Sequence, residues 1–243
     1  MSVVVAALGL SLLGGLGGLL VASAILLLPE TARSKLVPWL ISYAVGALLG
    51  VSLLAILPEA LETIPPVRAF STLLAGILLF FVLEKLVLWR HCHTHDCEVH
   101  DSAVPMVLIG DAFHNFVDGA VIGAAVMTSL PLGLSTAIAV AAHEIPQEIS
   151  DFAILLHAGY SRGRALLING LSVIAGAAGA LLAVLAFDVV PALLPYSLAL
   201  AASSFLYVAM ADLIPGLHRA RTDASSFRQV VLVGLGVATV LAL

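Results

Sequence analysis

The chain has 243 residues, 61% of them hydrophobic and only 10% charged, with a mean hydropathy of +1.15. Soluble domains carry about 25% charged residues, so the composition excludes a soluble globular protein and points to a bilayer. The formal net charge of −5 says little about partners, because six or more of the acids fall inside apolar segments; nucleic acid is not an expected partner.

About 20 mostly apolar residues cross the hydrocarbon core as a helix. Eight such segments are predicted, at 3–28, 36–57, 67–89, 103–129, 131–157, 164–187, 192–215 and 227–243. Together they make one transmembrane domain over 1–243, an all-α integral membrane bundle with the lipid bilayer as its partner. The first segment follows Met-Ser-Val-Val, which lacks a basic leader, and it is far longer than a signal peptide's apolar region; it reads as a permanent helix. Its run Leu13-Gly14-Gly15-Leu16-Gly17-Gly18 lets a neighbouring helix approach closely. The second segment ends in Leu57-Pro58-Glu59-Ala60-Leu61.

After the third segment comes a loop, 91–101, with His91, Cys92, His93, His95, Cys97 and His100 among its residues. These are borderline-soft ligands suited to metal capture. The loop is predicted to be cytoplasmic, where thiols stay reduced, so a structural disulfide is not expected.

The fourth and fifth segments carry the chemistry. His114-Asn115-Phe116-Val117-Asp118-Gly119 lies inside one, and His143-Glu144-Ile145-Pro146-Gln147-Glu148 inside the other. A charged side chain at the bilayer centre costs roughly 2.5–3.5 kcal/mol even on lenient scales. So many ionisable groups therefore predict a polar cavity for something positively charged. A short turn near Leu130 joins the two segments as an antiparallel hairpin. Both polar runs lie about 18–27 Å from that turn at 1.5 Å per residue, so they face one another near the membrane's middle. His114 and Asp118 are i, i+4, and Asn115 and Asp118 are i, i+3, with Asp111 continuing the stripe. His143 with Gln147 and Glu144 with Glu148 are i, i+4 pairs, and Asp151 lies beyond. Imidazole, carboxylate and amide donors together suit a divalent first-row transition ion such as zinc, iron or manganese. Pro146 is expected to kink the fifth helix by removing the hydrogen bond to the Ala142 carbonyl.

His143-Glu144 begins like the zinc-hydrolase signature H-E-x-x-H, which needs two imidazoles on one regular helical face. Gln147 stands at the second of those positions and Pro146 interrupts the face, so an enzyme is not expected.

The sixth segment repeats the small-residue pattern in Ala175-Gly176-Ala177-Ala178-Gly179-Ala180. The seventh ends in Ile214-Pro215-Gly216-Leu217, an echo of Leu57-Pro58. That echo predicts an inverted repeat of helices 1–3 and 6–8 around the central hairpin. With the N-terminus outside, every Lys and Arg except Arg68 falls on cytoplasmic loops, which predicts both termini outside.

The chain resembles the ZIP (Zrt/Irt-like protein) family of divalent metal transporters. The 114–119 run is similar to the family's helix-4 motif. His-Glu-Ile-Pro-Gln-Glu-Ile-Ser-Asp-Phe-Ala-Ile-Leu is similar to its helix-5 motif in the H-E-x-P-H-E subfamily. Gly46-Ala47-Leu48-Leu49-Gly50 with Leu57-Pro58-Glu59-Ala60, and 205–215, resemble its helices 2 and 7. The resemblance implies a two-metal centre. His114, His143, Asp118 and Gln147 would form the primary position. Asn115, Asp118, Glu144 and Gln147 would form the adjoining one, with Asp118 bridging and Glu148 nearer the edge. It implies transport of zinc into the cytoplasm, with no cofactor beyond the transported metal; a homodimer in a bacterial inner membrane is expected apart from the resemblance. Iron, manganese or cadmium are the alternative cargoes, and a metal sensor without flux is the rival function. Ions would leave past Asp111, Asp151 and His157 towards the 91–101 loop. Gln147 stands where the subfamily has a second His, Ala55 and Val51 stand where many members carry a His or an acid, and Ser150 replaces a usual Gly. These departures make the centre poorer in imidazole.

Overall fold

The computed structural model describes residues 2–91, 103–219 and 223–243. The described residues form eight long helical stretches and no strand: α1 (Val3–Leu26), α2 (Glu30–Thr63), α3 (Pro66–His91), α4 (Ala103–Thr128), α5 (Leu130–His157), α6 (Arg162–Val189), α7 (Leu194–Tyr207, continuing through Val208–Leu213 to Ile214–Arg219) and α8 (Asp223–Leu241). Of these, α1, α2, α3, α6 and α7 are long and apolar enough to cross a membrane on length and composition alone. The described apolar part of α8, Ser226–Leu241, is shorter. With 26 and 28 residues, α4 and α5 are long enough, but polar side chains interrupt their apolar character. The architecture is an all-α membrane bundle.

Two helices extend beyond the predicted segments. An apolar run marks the part that crosses hydrocarbon, whereas a helix continues into the headgroup layer until something stops it. In α2 the extra first turn holds an ion pair between Glu30 and Arg33. The helix stops at Ile64, which is extended (φ −122°, ψ 151°), because a residue before proline is driven out of the helical region. α7 likewise runs on to Arg219.

The joints beside the polar runs are tight. Thr128 ends α4, and Ser129 caps α5 by accepting a hydrogen bond from the Leu132 amide at 3.2 Å, satisfying one orphan donor. At the far end of α5, Gly159 adopts φ +86°. The Tyr160 amide donates to the Leu155 carbonyl and the Gly159 amide to that of Leu156, both at 3.0 Å. This double bond pattern with a left-handed glycine closes the helix, and Ser161 then caps α6.

Close backbone approach holds the bundle around α4. A Cβ on Gly119 would overlap the Gly176 carbonyl, and one on Gly179 would overlap that of Phe116. α4 and α6 therefore meet backbone to backbone, as small residues allow in lipid, and the Gly that ends the 114–119 motif is a packing residue. Gly46 and Gly236 do the same between α2 and α8, where the Tyr43 hydroxyl also donates to Thr239 Oγ1 at 3.0 Å. α1 packs on α5 and α6, and α3 packs on α7. Leu48, Ile56, Ile122, Leu198 and Phe205 lie at the centre of the apolar core. Leu13, Leu20, Val67, Leu78, Leu167 and Val230 are exposed, as suits faces turned to lipid.

The proline of α5 does not break its helix, which is continuous from Leu130 to His157 with Pro146 inside. The irregular turns occur elsewhere. Val51–Ile56 in α2 and Val208–Leu213 in α7 are both six-residue π-helical segments, followed by Leu57-Pro58 and Ile214-Pro215. A widened turn accommodates a proline ring that would clash with the carbonyl four residues earlier.

Candidate metal centre

At mid-length α4 and α5 bring four donors together. His114 Nε2 and His143 Nε2 are 3.1 Å apart. Asp118 Oδ2 lies 2.9 Å from His143 Nε2 and 3.5 Å from His114 Nε2. Glu144 Oε1 lies 3.8 and 3.7 Å from the same two nitrogens. All four donor atoms fall within 4.8 Å of one another. Donors held at about 2.0–2.2 Å by one tetrahedral zinc ion are separated by about 3.3–3.6 Å, and these spacings bracket that edge. His143 and Glu144 are 1% exposed and Asp118 2%.

The protonation pattern explains why these groups tolerate each other. His143 Nδ1 lies 3.1 Å from the Ala139 carbonyl oxygen, one turn back on α5, and an acceptor there requires the ring proton on Nδ1. In the neutral imidazole His143 Nε2 then presents a lone pair to the centre, an orientation typical of a ligating imidazole held by a backbone acceptor. It faces Asp118 Oδ2, another lone-pair atom, at hydrogen-bond distance. Both carboxylate oxygens of Asp118 and of Glu144 lack a hydrogen-bond partner. Acceptors aimed at one another in a buried space repel unless a cation lies between them. The donor set therefore fits a divalent transition ion.

The other predicted residues fall into place around this centre. The Asn115 amide nitrogen donates to Asp111, at 2.9 Å to Oδ1 and 3.2 Å to the carbonyl, so its amide is oriented by α4 itself. Gln147, expected at the primary position, is half-buried and its side chain lies against the Asp111 carboxylate. Glu144, expected at the adjoining position, lies 3.7 and 3.8 Å from the two imidazole nitrogens. Two consecutive residues of α5, His143 and Glu144, thus stand beside the donors of α4. Glu148 is buried one turn further along, with both oxygens unpartnered. Asp111 is buried and Asp151 half-buried on the same side. His157 is exposed at the end of α5. Cys92, His93, His95, Cys97 and His100, and the side chain of His91, lie outside the described residues.

Of the four donors His114 is the most accessible, its side chain 22% exposed. It lines a cavity of about 390 Å³ between α3, α4 and α7, with Glu84, Tyr207 and Asp212 on the walls. The Tyr207 hydroxyl donates to Glu84. The sequence reading missed these groups, although the signal used for α4 and α5, an ionisable residue inside an apolar segment, also marks Glu84 and Asp212. On the opposite side the ring of the fully buried Phe205 stands 6.0 Å from that of His143.

A model of the family described as ZIP Zinc transporter matches residues 89–243, well over half of the chain and including both polar runs. The chain belongs to the ZIP zinc transporter family. Among curated members, human zinc transporter ZIP4 is 46% identical over 116 residues, which is 48% of this chain and 18% of that protein. Human zinc transporter ZIP6 is 40% identical over 131 residues, 52% of this chain and 17% of that protein. Zinc transporter ZIP10 of Danio rerio is 40% identical over 124 residues, 49% and 15% respectively. The matched stretch thus spans less than a fifth of each of these ZIP proteins.

Proposed function

We propose that this chain carries a divalent transition metal, zinc foremost, across a membrane and into the cytoplasm, through the centre formed by His114, Asp118, His143 and Glu144. The observation that carries the reading is the convergence of two imidazole nitrogens with two unpartnered, buried carboxylates. Mixed nitrogen and oxygen donors at tetrahedral spacing favour zinc over magnesium or calcium, which take oxygen alone. The printed names of the relatives, all zinc transporters, support the same cargo. Iron(II), manganese and cadmium are secondary candidates for the same donors.

Direction and orientation rest on the Lys and Arg distribution, which favours both termini outside. In that orientation the cavity beside His114, with Glu84 and Asp212, opens on the cytoplasmic half and serves as the outlet. Helices α1–α3 and α6–α8 form an inverted repeat about the α4/α5 pair. The matching π-helical segments before Leu57-Pro58 and Ile214-Pro215 support it, as does the pairing of α1 with α5 and α2 with α8 against that of α6 with α4 and α7 with α3. The working unit is a homodimer, and the reaction is transport without catalysis.

Uptake of radioactive zinc into sealed proteoliposomes containing the purified chain tests this. Accumulation that stops in His143→Ala is the expected result. Tight zinc binding with no flux would replace the carrier with a sensor.

A further inference from the structure

One turn along α5 from the central donors lies a second group of oxygens. Glu148 is 1% exposed, and Asp111 and Asp151 are its electrostatic neighbours. Asp111 and Asp151 are electrostatic neighbours of each other as well. Asn169 of α6, likewise 1% exposed, points its amide towards the Glu148 carboxylate. Yet neither oxygen of Glu148 and neither polar atom of the Asn169 side chain forms a hydrogen bond. A buried amide left with both ends unpaired is costly, and a buried carboxylate is more so. Asp111 and Asp151 beside such a pair add mutual repulsion. Water alone satisfies an amide, but it does not neutralise three carboxylates.

We propose that Asp111, Glu148, Asp151 and Asn169 form a second, oxygen-only cation site, which holds a divalent ion with part of its water shell. This rests on the reading of the chain as a carrier, and adds a stopping point to it. Among the described residues only the central four bring three or more His, Asp or Glu donor atoms within 4.8 Å of one another, and the three carboxylates of the second group do not converge to that distance. Hard oxygen donors with retained water discriminate little between divalent ions and bind them weakly. Glu144 connects the two sites, since its electrostatic neighbours include Asp118 of the central group and Glu148, Asp111 and Asp151 of the second. The i, i+4 step from Glu144 to Glu148 is about 6 Å of helix rise, so an ion leaving the nitrogen ligands meets oxygen ligands before its hydration is complete.

Manganese supplies the test, because its paramagnetic resonance reports nitrogen ligands and bound water separately. The purified full chain is loaded with one equivalent of Zn²⁺, which takes the central donors, and then titrated with Mn²⁺. The site predicts one bound Mn²⁺ that shows water-proton couplings and no nitrogen coupling. Asp151→Asn combined with Asn169→Leu, both close in shape to the native residues, should weaken that Mn²⁺ about tenfold or more and leave the zinc equivalent in place. Retention of zinc also shows that the variant is folded. Glu148→Gln alone should weaken Mn²⁺ in the same direction. Unchanged Mn²⁺ binding in both variants, or nitrogen coupling on the Mn²⁺ of the zinc-loaded wild type, would overturn the proposal. Failure of the central reading would look different: the wild type would keep no zinc and still hold nitrogen-free Mn²⁺.

Discussion

The two polar regions of the α4/α5 pair contain similar acids and differ in what stands between them. At the centre, two imidazoles fill the gap between Asp118 and Glu144, and four donors converge within 4.8 Å. One turn along, Asp111, Glu148 and Asp151 have amides and a serine as neighbours, and no comparable convergence. Charge is not what separates them. An imidazole reaches the metal as a neutral donor, so it shortens donor spacing without adding repulsion, and the ion can be stripped of water. Carboxylates alone hold each other apart and leave the ion hydrated.

The largest effect should come from the residue that touches both imidazoles. Asp118→Ala removes the carboxylate 2.9 Å from His143 Nε2 and should abolish uptake, lowering zinc affinity by about a hundredfold or more, with the protein still inserted and folded. Asp118→Glu keeps the charge and should retain partial flux. Near-normal uptake by Asp118→Ala would remove the distinction between the two regions.

Protons provide the next test. His114 and His143 bind metal only when neutral. As the pH falls and the imidazoles take up protons, each one that must be deprotonated costs up to about tenfold in affinity per pH unit. Zinc affinity measured by competition with a chelator should therefore fall from pH 7 to pH 5. A flat profile over that window would show that the imidazoles are not ligands.

A smaller contrast compares two neighbours on α5. Glu144→Gln removes a charged donor from the centre and should weaken zinc by about ten- to a hundredfold. Gln147→Ala removes a neutral amide that lies against Asp111, and should change zinc affinity by less than about threefold. If the two effects come out reversed, the fourth donor is Gln147, as the family resemblance implied.

That contrast marks the limit of what the sequence could tell. Apolar runs placed the helices because the bilayer dictates their length, and the i, i+4 spacing of His114 and Asp118 put both on one face because the helix repeat does so. Neither rule contains the rotation of α5 against α4. Spacing within α5 paired His143 with Gln147 and Glu144 with Glu148, whereas the helix contact brought the consecutive pair His143 and Glu144 to the same centre. The prolines differ in what surrounds them. Pro146 lies in a helix clamped on one side by α4 and on another by α1, whose Gly18 sits against Glu144, and there it is absorbed without a break. Before Pro58 and Pro215 the backbone widens into π-helix. Asn169 was invisible because one asparagine in an apolar helix carries no spacing signal, and only burial without a partner singles it out.

The smallest effect should come from the loop that looks richest in ligands. His91, Cys92, His93, His95, Cys97 and His100 crowd into a short stretch that the sequence reading places outside the apolar segments, where no bilayer would force donors to converge or lose their water. Imidazoles and thiols that keep their water bind metal reversibly, so they would hold ions without limiting how fast they cross. On the cytoplasmic side the loop would also collect ions that have already passed the centre, and lower the chance that they rebind. Replacing all six residues by Ser should therefore reduce the zinc retained by purified protein, while the initial uptake rate changes by less than about twofold. His114→Ala with His143→Ala should instead stop uptake with the loop intact. Loss of flux in the loop variant comparable to that of the core variant would place the loop on the conduction path, and the difference between buried, converged donors and donors outside the apolar segments would no longer explain which residues carry transport.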